Sequence, residues 1–252
     1  MELYNNDCIH VLSNLDKEKR VQLTITSPPY YNARDYSHYE TYNDYLAFLN
    51  EVFQKVYNIT EDGRMCCVNT SPVIEPRLKR SMESKRYPIP FDLTHIMCNM
   101  GWKFIDDIIW VKPEGSVANR NAGFYRSRKP MAYKPNPVCE YIIIFQKPIN
   151  GLIDNILKKT PKDIMEESLV KGEYERTNVW KMNPETHSKH PAPFPIDLPY
   201  KLIQYYSFVN DIVLDPFMGS GTTGVAAKEL NRNFIGIEYN QDYFNMAVER
   251  LN

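Results

Sequence analysis

Asp215-Pro216-Phe217-Met218-Gly219-Ser220-Gly221-Thr222-Thr223-Gly224 is the stretch from which the rest of the chain can be placed. Asp211 to Asp215 reads as a short strand and Thr222 to Leu230 as a helix. Asn233 to Glu238 reads as a second strand, and Asn240 to Leu251 as a helix capped by Asn240 that buries Phe244, Ala247, Val248 and Leu251. Strands alternating with helices predict a mostly parallel, doubly wound α/β sheet with helices on both faces. Gly219, Gly221 and Gly224 fit G-x-G-x-x-G at a strand-to-helix turn, where backbone can approach a ligand closely and the helix presents unpaired N–H groups.

Read literally, that turn is a dinucleotide fingerprint, and Glu238 stands 19 residues beyond Gly219, where an acid meets ribose hydroxyls. Two features oppose a nicotinamide oxidoreductase. Only 28 residues follow Gly224, so the missing half of such a fold would have to come from earlier sequence by permutation. Asp215 at the loop also repels a pyrophosphate and attracts a cationic ligand. The charge at the loop favours S-adenosylmethionine over a dinucleotide.

At the other end of the chain, Val21-Gln22-Leu23-Thr24-Ile25-Thr26 is a β-branched, alternating strand that runs into Ser27-Pro28-Pro29-Tyr30. Two prolines fix φ and remove N–H donors, which leaves carbonyls held in place beside the Ser27 hydroxyl and the Tyr30 ring. The turn is a rigid acceptor for a group that donates N–H bonds. An exocyclic amine of a planar base fits it: hydrogen bonds accepted from the amine draw its lone pair out of ring conjugation, and Tyr30 offers an aromatic face.

Between these ends, Thr41 and Asp44 have capping-box spacing, and Tyr45, Phe48, Leu49, Val52, Phe53 and Val56 recur on one helical face. Arg64 to Asn69, Trp102 to Val111 and Val138 to Gln146 read as strands, and Pro90 opens a helix through Met97 and Met100. The segment 113–137 is too long and polar for a hairpin turn and reads as an inserted functional loop. The segment 150–190 has no clear period. Both read as insertions in a single domain spanning 1–252 and are candidates for recognising a partner.

Bulk properties narrow the classes. The 252 residues carry 30 Lys+Arg against 31 Asp+Glu, so no global basic field marks a nucleic-acid partner. The positive residues are clustered instead: Lys112, Arg120, Arg126, Arg128, Lys129 and Lys134 face only Glu114, and Arg77, Lys79, Arg80, Lys85 and Arg86 form a second group. Each cluster reads equally well as a solvated loop. No apolar run approaches the roughly 20 residues of a membrane span, and the start lacks the order of a secretion signal, so a cytoplasmic protein is expected. Five cysteines without a C-x-x-C pair suggest reduced packing residues rather than disulfides or zinc. His187 and His190 are three apart, but lack Cys or acid partners nearby and read as loop residues, so no metal site is expected.

Taken together, Thr26-Ser27-Pro28-Pro29-Tyr30 resembles the catalytic motif of the DNA amino-methyltransferases, and Asp215 to Thr223 resembles their S-adenosylmethionine loop. The order, catalytic motif first and cofactor loop last, is similar to the β-class arrangement of that family. Asn6-Asp7-Cys8 resembles the turn that meets the cofactor adenine, and His190-Pro191-Ala192-Pro193-Phe194-Pro195 resembles the segment covering the methionine end. The resemblance spans most of the chain. It implies a circularly permuted Rossmann-like methyltransferase fold with catalytic residues Ser27, Pro28, Pro29 and Tyr30. The implied cofactor residues are Asp7, Cys8, His190, Pro193, Phe194, Asp215, Pro216, Phe217, Gly219, Gly221, Thr222, Glu238 and Tyr239.

A base inside duplex DNA must be flipped out to reach such a site, with Tyr30 and either Phe217 or Tyr31 holding it. No cysteine nucleophile is required, because the amine itself attacks. Serine at position 27 is similar to the cytosine-N4 members, whereas the adenine-N6 members usually carry Asp or Asn there; cytosine N4 is the preferred expectation and adenine N6 the alternative. Arg77, Arg80, Arg120, Arg126, Arg128, Lys129 and Lys134 are candidate DNA contacts, to guanine edges or to phosphates. A bacterial or phage setting and a companion restriction endonuclease are implied by the family. An RNA or protein methyltransferase, a nicotinamide oxidoreductase and a silent DNA-binding relative remain alternatives.

Overall fold

The computed structural model describes residues 1–15, 20–32, 39–77, 79, 81–185 and 194–252. In chain order the elements begin with β1 (Glu2–Asn5), α1 (Cys8–Asn14), β2 (Val21–Thr26), α2 (Tyr42–Ile59), β3 (Thr60–Thr70), β4 (Val73–Glu75), β5 (Lys85–Tyr87) and α3 (Ile89–Asn99). They continue with β6 (Lys103–Val111), α4 (Ala122–Ser127), β7 (Cys139–Gln146), α5 (Asp154–Lys159), α6 (Lys162–Ser168) and β8 (Val179–Lys181). The last are α7 (Asp197–Tyr206), β9 (Ile212–Asp215), α8 (Thr222–Glu229), β10 (Asn233–Glu238) and α9 (Gln241–Leu251).

Eight strands form one sheet in the order β1-β10-β9-β2-β3-β7-β6-β8, and β4 and β5 make a separate hairpin. β1, β10, β9, β2 and β3 run parallel, β7 runs antiparallel to both its neighbours, and β8 is parallel to β6. Side chains of each central strand alternate between two cores. Cys66, Val68, Ile143 and Phe145 face one, which holds Leu49, Val52, Phe53 and Val56 of α2 and Leu93 and Met97 of α3. Cys67, Ile142 and Ile144 face the other, with Leu202 and Ile203 of α7, Ala226 and Ala227 of α8, and Ala247 and Leu251 of α9. Burial on both faces is why Ile142-Ile143-Ile144-Phe145 is a continuous apolar run. The expected doubly wound, mostly parallel sheet is present.

Local rules set the helix ends. Thr41 and Asp44 form the reciprocal capping box at the start of α2, which contributes roughly 1 kcal/mol. Asn240 caps α9 through its side-chain oxygen, which accepts from the N–H groups of Asp242 and Tyr243. Neither α1 nor α7 is legible as a helix in the sequence: α1 has only seven residues, and α7 carries Pro199 in its first turn, where the missing N–H costs nothing. The helix expected from Pro90 starts one residue earlier, at Ile89.

Sheet direction decides which loops share a face. The carboxyl ends of β1, β2, β3, β6, β8, β9 and β10 lie at one edge, together with the amino end of antiparallel β7. The hairpin β4–β5, the 112–138 connection and the chain after β8 therefore all leave from that edge. The 112–138 connection is not bare loop: it contains a 3-10 turn at Glu114–Ser116 and α4, braced by Asn136, which donates to Glu114 and accepts from the Arg120 N–H. The 147–178 excursion leaves from the opposite edge, where the Lys147 carbonyl accepts from Gly63 N–H at the start of β3. It folds as α5 and α6 and docks on the far side of the sheet: Ser168 accepts from Val209 N–H, and Glu175 pairs with Lys201. The segment expected at 150–190 thus divides between two edges of the sheet. Among the described residues no helix is long and apolar enough to cross a membrane.

Candidate active site

A cavity of about 960 Å³ opens over the carboxyl edge, above the point where chain order reverses between β9 and β2. Ser27, Pro28, Pro29 and Tyr30 line it from the end of β2, and Asn6, Asp7 and Cys8 from the end of β1. Pro216, Phe217, Met218, Gly219, Ser220 and Thr222 form the loop between β9 and α8, and Glu238 and Tyr239 follow β10. Phe194 closes one side. Two motifs almost two hundred residues apart share one pocket.

The glycine loop is shaped by its backbone. Gly219 and Gly221 have φ of 55° and 82°, the left-handed region that favours glycine. A Cβ on Gly221 would also sit 3.1 Å from the Cβ of Ala247 in α9. Gly221 accordingly ends the loop and starts α8. Glu238 fastens the loop to the next turn: one carboxylate oxygen accepts from Gly219 N–H at 2.9 Å and the other from Asn240 N–H at 2.8 Å. Burial raises the Glu238 carboxyl above its ordinary value. A carboxylate has about four acceptor sites, so at least one remains that a sugar hydroxyl can use.

Asp215 occupies a different place from the one expected of a direct cofactor contact. It is 1% exposed, lies beneath the cavity floor and is not among the lining residues. One of its oxygens accepts from Thr26 Oγ1 at 2.7 Å and from Phe217 N–H at 3.1 Å, and the other accepts from Thr223 Oγ1 at 2.8 Å. With its lone pairs turned to the protein, Asp215 ties the Ser-Pro-Pro-Tyr strand to the glycine loop. Burial outweighs these hydrogen bonds and pushes its carboxyl up to about 6.

Tyr31 also falls outside the pocket. It is buried in a cluster with Tyr42, Tyr45 and Tyr87, at ring separations of 4.7 to 5.6 Å, and serves the core. Phe217 does reach the cavity, with Phe48 6.0 Å away. Asp7 lies at the rim and caps α1, accepting from His10 N–H. Cys8 is buried, and burial followed by the Asp7 charge pushes its thiol up to about 12, which suits packing rather than nucleophilic attack.

Among the pocket residues that no sequence motif marks are Asn69 at the end of β3, Lys112 just past β6, and Glu140 on β7. Glu140 joins them to the Ser-Pro-Pro-Tyr turn. Its Oε2 accepts from Tyr30 OH at 2.9 Å and from Asn69 Nδ2 at 2.8 Å, while Oε1 pairs with Lys112. Asn69 Nδ2 also approaches Ser27 Oγ at 3.4 Å. Burial and the Glu140 charge raise the Tyr30 phenol well above its ordinary value, so it stays a hydrogen-bond donor. Only the register brings these strand ends, far apart in sequence, to adjacent places. By sequence alone Lys112 belongs with the basic run that follows it.

Among the described lining residues, four carboxylates (Asp7, Glu140, Glu185, Glu238) face a single ammonium, Lys112. Such a pocket opposes a pyrophosphate and suits a cation that also carries hydroxyls. Arg77, Arg126, Arg128, Lys129 and Lys134 are exposed, and Arg120 is half-buried, all on connections that leave from the cavity edge. Arg80, His187, His190 and Pro193 lie outside the described residues. Among those described, no group of three His, Cys, Asp or Glu could hold a metal ion.

A permuted, doubly wound sheet with an acid-rich cavity at its switch point defines a Rossmann-like methyltransferase. Residues 21–249 match the sequence model of the N6/N4 DNA methylases, and the chain belongs to that DNA methylase family. It is 28% identical over 260 residues to the type II methyltransferase M.ScaI of Streptomyces caespitosus, covering 99% of this chain and 80% of that one. It is 29% identical over 260 residues to the type II beta methyltransferase M.BslI of Bacillus sp. (strain NEB-606), covering 99% of this chain but only 27% of M.BslI. Among solved structures, the Thermus thermophilus protein TTHA0409, assigned as a DNA modification methylase, superposes with a TM-score of 0.78 at 27% identity, covering 99% of this chain and 93% of that one. The same protein complexed with S-adenosyl-L-methionine gives a TM-score of 0.75 at 26% identity, covering 99% and 94%.

Proposed function

We propose that this chain transfers the methyl group of S-adenosylmethionine to the exocyclic N4 amine of a cytosine flipped out of double-stranded DNA. The observation that carries this reading is the placement of Ser27 in the same cavity as the glycine loop and Glu238. S-adenosylmethionine supplies an electrophilic methyl group on a sulfonium. The glycine loop with Pro216, Phe217 and Thr222, the acids Asp7 and Glu238, and Tyr239 and Phe194 hold the donor; Asp215 acts beneath them by fixing the loop to β2.

The catalytic turn receives the amine. Ser27 Oγ and a carbonyl of the proline pair accept its N–H bonds and aim the nitrogen lone pair at the methyl carbon. Tyr30 and Phe217 offer aromatic surface to the extruded ring. Serine at position 27 supports cytosine over adenine, and adenine N6 is the alternative product.

DNA approaches the cavity edge. The 112–138 connection, with Arg120, Arg126, Arg128, Lys129 and Lys134, and the β4–β5 hairpin, with Arg77, are the segments assigned to it. The 147–178 excursion lies at the opposite edge and is not assigned a DNA role. A restriction endonuclease recognising the same site is the functional companion this reading implies.

The reading is tested by binding and transfer together. Saturable binding of S-adenosylmethionine, no response to NAD, and passage of a labelled methyl group to duplex DNA are expected. Binding of NAD instead, or label appearing on RNA or protein and not on DNA, would overturn it.

A further inference from the structure

Lys112 is held more tightly than a residue that merely neutralises phosphate. Its ammonium pairs with Glu140, the two side chains being 19% and 12% exposed, and lies 4.8 Å from the ring centroid of buried Trp110. Trp110 is fixed in turn by its indole N–H, which donates to the Met182 carbonyl at 3.0 Å. An ammonium has three N–H bonds. Glu140 takes one and the indole face another, which leaves one for a ligand in the cavity that Lys112 lines.

The geometry fits one edge of one base. Ser27 follows β2 and Lys112 follows β6, so their backbones stand three strand spacings apart, or about 14 Å. The lysine side chain reaches back across part of that span to Glu140, which is linked through Asn69 to Ser27, so the four side chains form one continuous row lining the cavity. Cytosine presents along one edge an amine, a ring nitrogen and a 2-oxo group: a donor followed by two acceptors. With the amine on the Ser27 turn, the 2-oxo group points toward the β6 end of the site. Adenine presents its amine and a ring nitrogen, then a C–H in the corresponding place, which would leave an ammonium N–H unpaired in a partly desolvated site.

We propose that Lys112, positioned by Glu140, donates a hydrogen bond to the 2-oxo group of the flipped base and thereby selects cytosine over adenine. The proposal deepens the amino-methyltransferase reading and rests on it. Glu140 is a positioning residue: by accepting from Lys112, Tyr30 and Asn69 it aligns the selecting group with the catalytic turn.

The test begins by mapping the site that the wild-type protein methylates in unmodified plasmid DNA. Two duplexes containing that site are then compared. One has cytosine at the target. The other has an aminopyridine C-nucleotide, which keeps the amine and ring nitrogen but has C–H in place of the 2-oxo group, assayed at alkaline pH where the ring nitrogen is unprotonated. Wild type is expected to prefer cytosine by roughly 10- to 100-fold in single-turnover rate, the worth of a hydrogen bond to a charged group. Lys112→Met and Lys112→Leu, which carry no N–H donor, should lose that factor on cytosine and lose the preference, while their affinity for S-adenosylmethionine stays within about 2-fold of wild type, a small free-energy difference. Equal use of both duplexes by wild type, or variants that still discriminate, would overturn the assignment. A wild-type product of N6-methyladenine would also overturn it, yet leave the amino-methyltransferase reading standing. Donor binding without any transfer to DNA would remove that reading and the inference with it.

Discussion

Thr26 Oγ1 donates to Asp215 Oδ1 at 2.7 Å across 189 residues of sequence, and both atoms are buried. This bond joins the last residue of β2, just before the Ser-Pro-Pro-Tyr turn, to the last residue of β9, just before the glycine loop. In the proposed reaction it aligns the turn that receives the amine with the loop that holds the donor. Thr26→Val keeps the shape but removes the donor, and a loss of about 1–3 kcal/mol in stability is expected from an underpaired buried acceptor. Urea denaturation at neutral pH measures it; a change below about 0.5 kcal/mol, the range of inconsequential surface substitutions, would show that the bond contributes little.

The buried carboxyl of Asp215 makes stability depend on pH. Burial pushes it up to about 6 from an ordinary value of 3.8, so between those values the folded protein binds more protons than the unfolded chain. The stabilisation is fully present below about pH 4 and is lost as the pH rises through 6, a change of about 3 kcal/mol. Asp215→Asn lacks this titration. The stability difference, wild type minus variant, should therefore fall by about that amount between pH 4 and 7; parallel curves would mean that Asp215 titrates alike in both states.

Ser27 touches the reacting amine and not the donor in the proposed arrangement. Ser27→Ala should lower turnover by roughly 100-fold, the scale of losing one preorganised hydrogen-bonding group, with an unchanged dissociation constant for S-adenosylmethionine. Rapid-quench methylation and donor titration separate the two effects. Unaltered turnover would remove Ser27 from the catalytic group.

The two edges of the sheet make different predictions about salt. Neutralising Arg126, Arg128, Lys129 and Lys134 to Gln should weaken DNA binding and flatten its dependence on log salt by about 0.9 for each phosphate that is no longer neutralised. The same change at Lys158, Lys159 and Lys162, on the 147–178 excursion, should leave the slope alone. Fluorescence anisotropy on duplex DNA across a salt series compares them, and equal weakening in both sets would contradict the placement of the DNA face.

Sequence carried the fold where periodicity was long and the site where motifs were local. The α2 face from Tyr45 to Val56, and the strand, turn and helix around Gly219 and Gly221, can be read directly because their signals lie within a few residues of one another. The elements α5, α6 and β8 cannot, since each is short and without a repeated apolar face. Asn69, Lys112 and Glu140 are silent for a different reason: three strands bring them together, and nothing local distinguishes Lys112 from the solvated basic residues after it. Asp215 and Tyr31 show the converse. Asp215 opens the glycine-loop motif and Tyr31 directly follows the Ser-Pro-Pro-Tyr turn, yet Asp215 turns under the floor and Tyr31 into the aromatic core.

The proposed reaction turns on one atom, the exocyclic nitrogen that receives the methyl group. It is identified by incubating the protein with labelled S-adenosylmethionine and unmethylated double-stranded DNA, digesting to nucleosides and determining the labelled nucleoside by mass spectrometry. N4-methyldeoxycytidine is the expected product. A labelled N6-methyldeoxyadenosine would contradict the cytosine assignment, and label at a ring carbon, or no transfer at all by protein that binds the donor, would contradict the catalytic role given to the Ser27 turn.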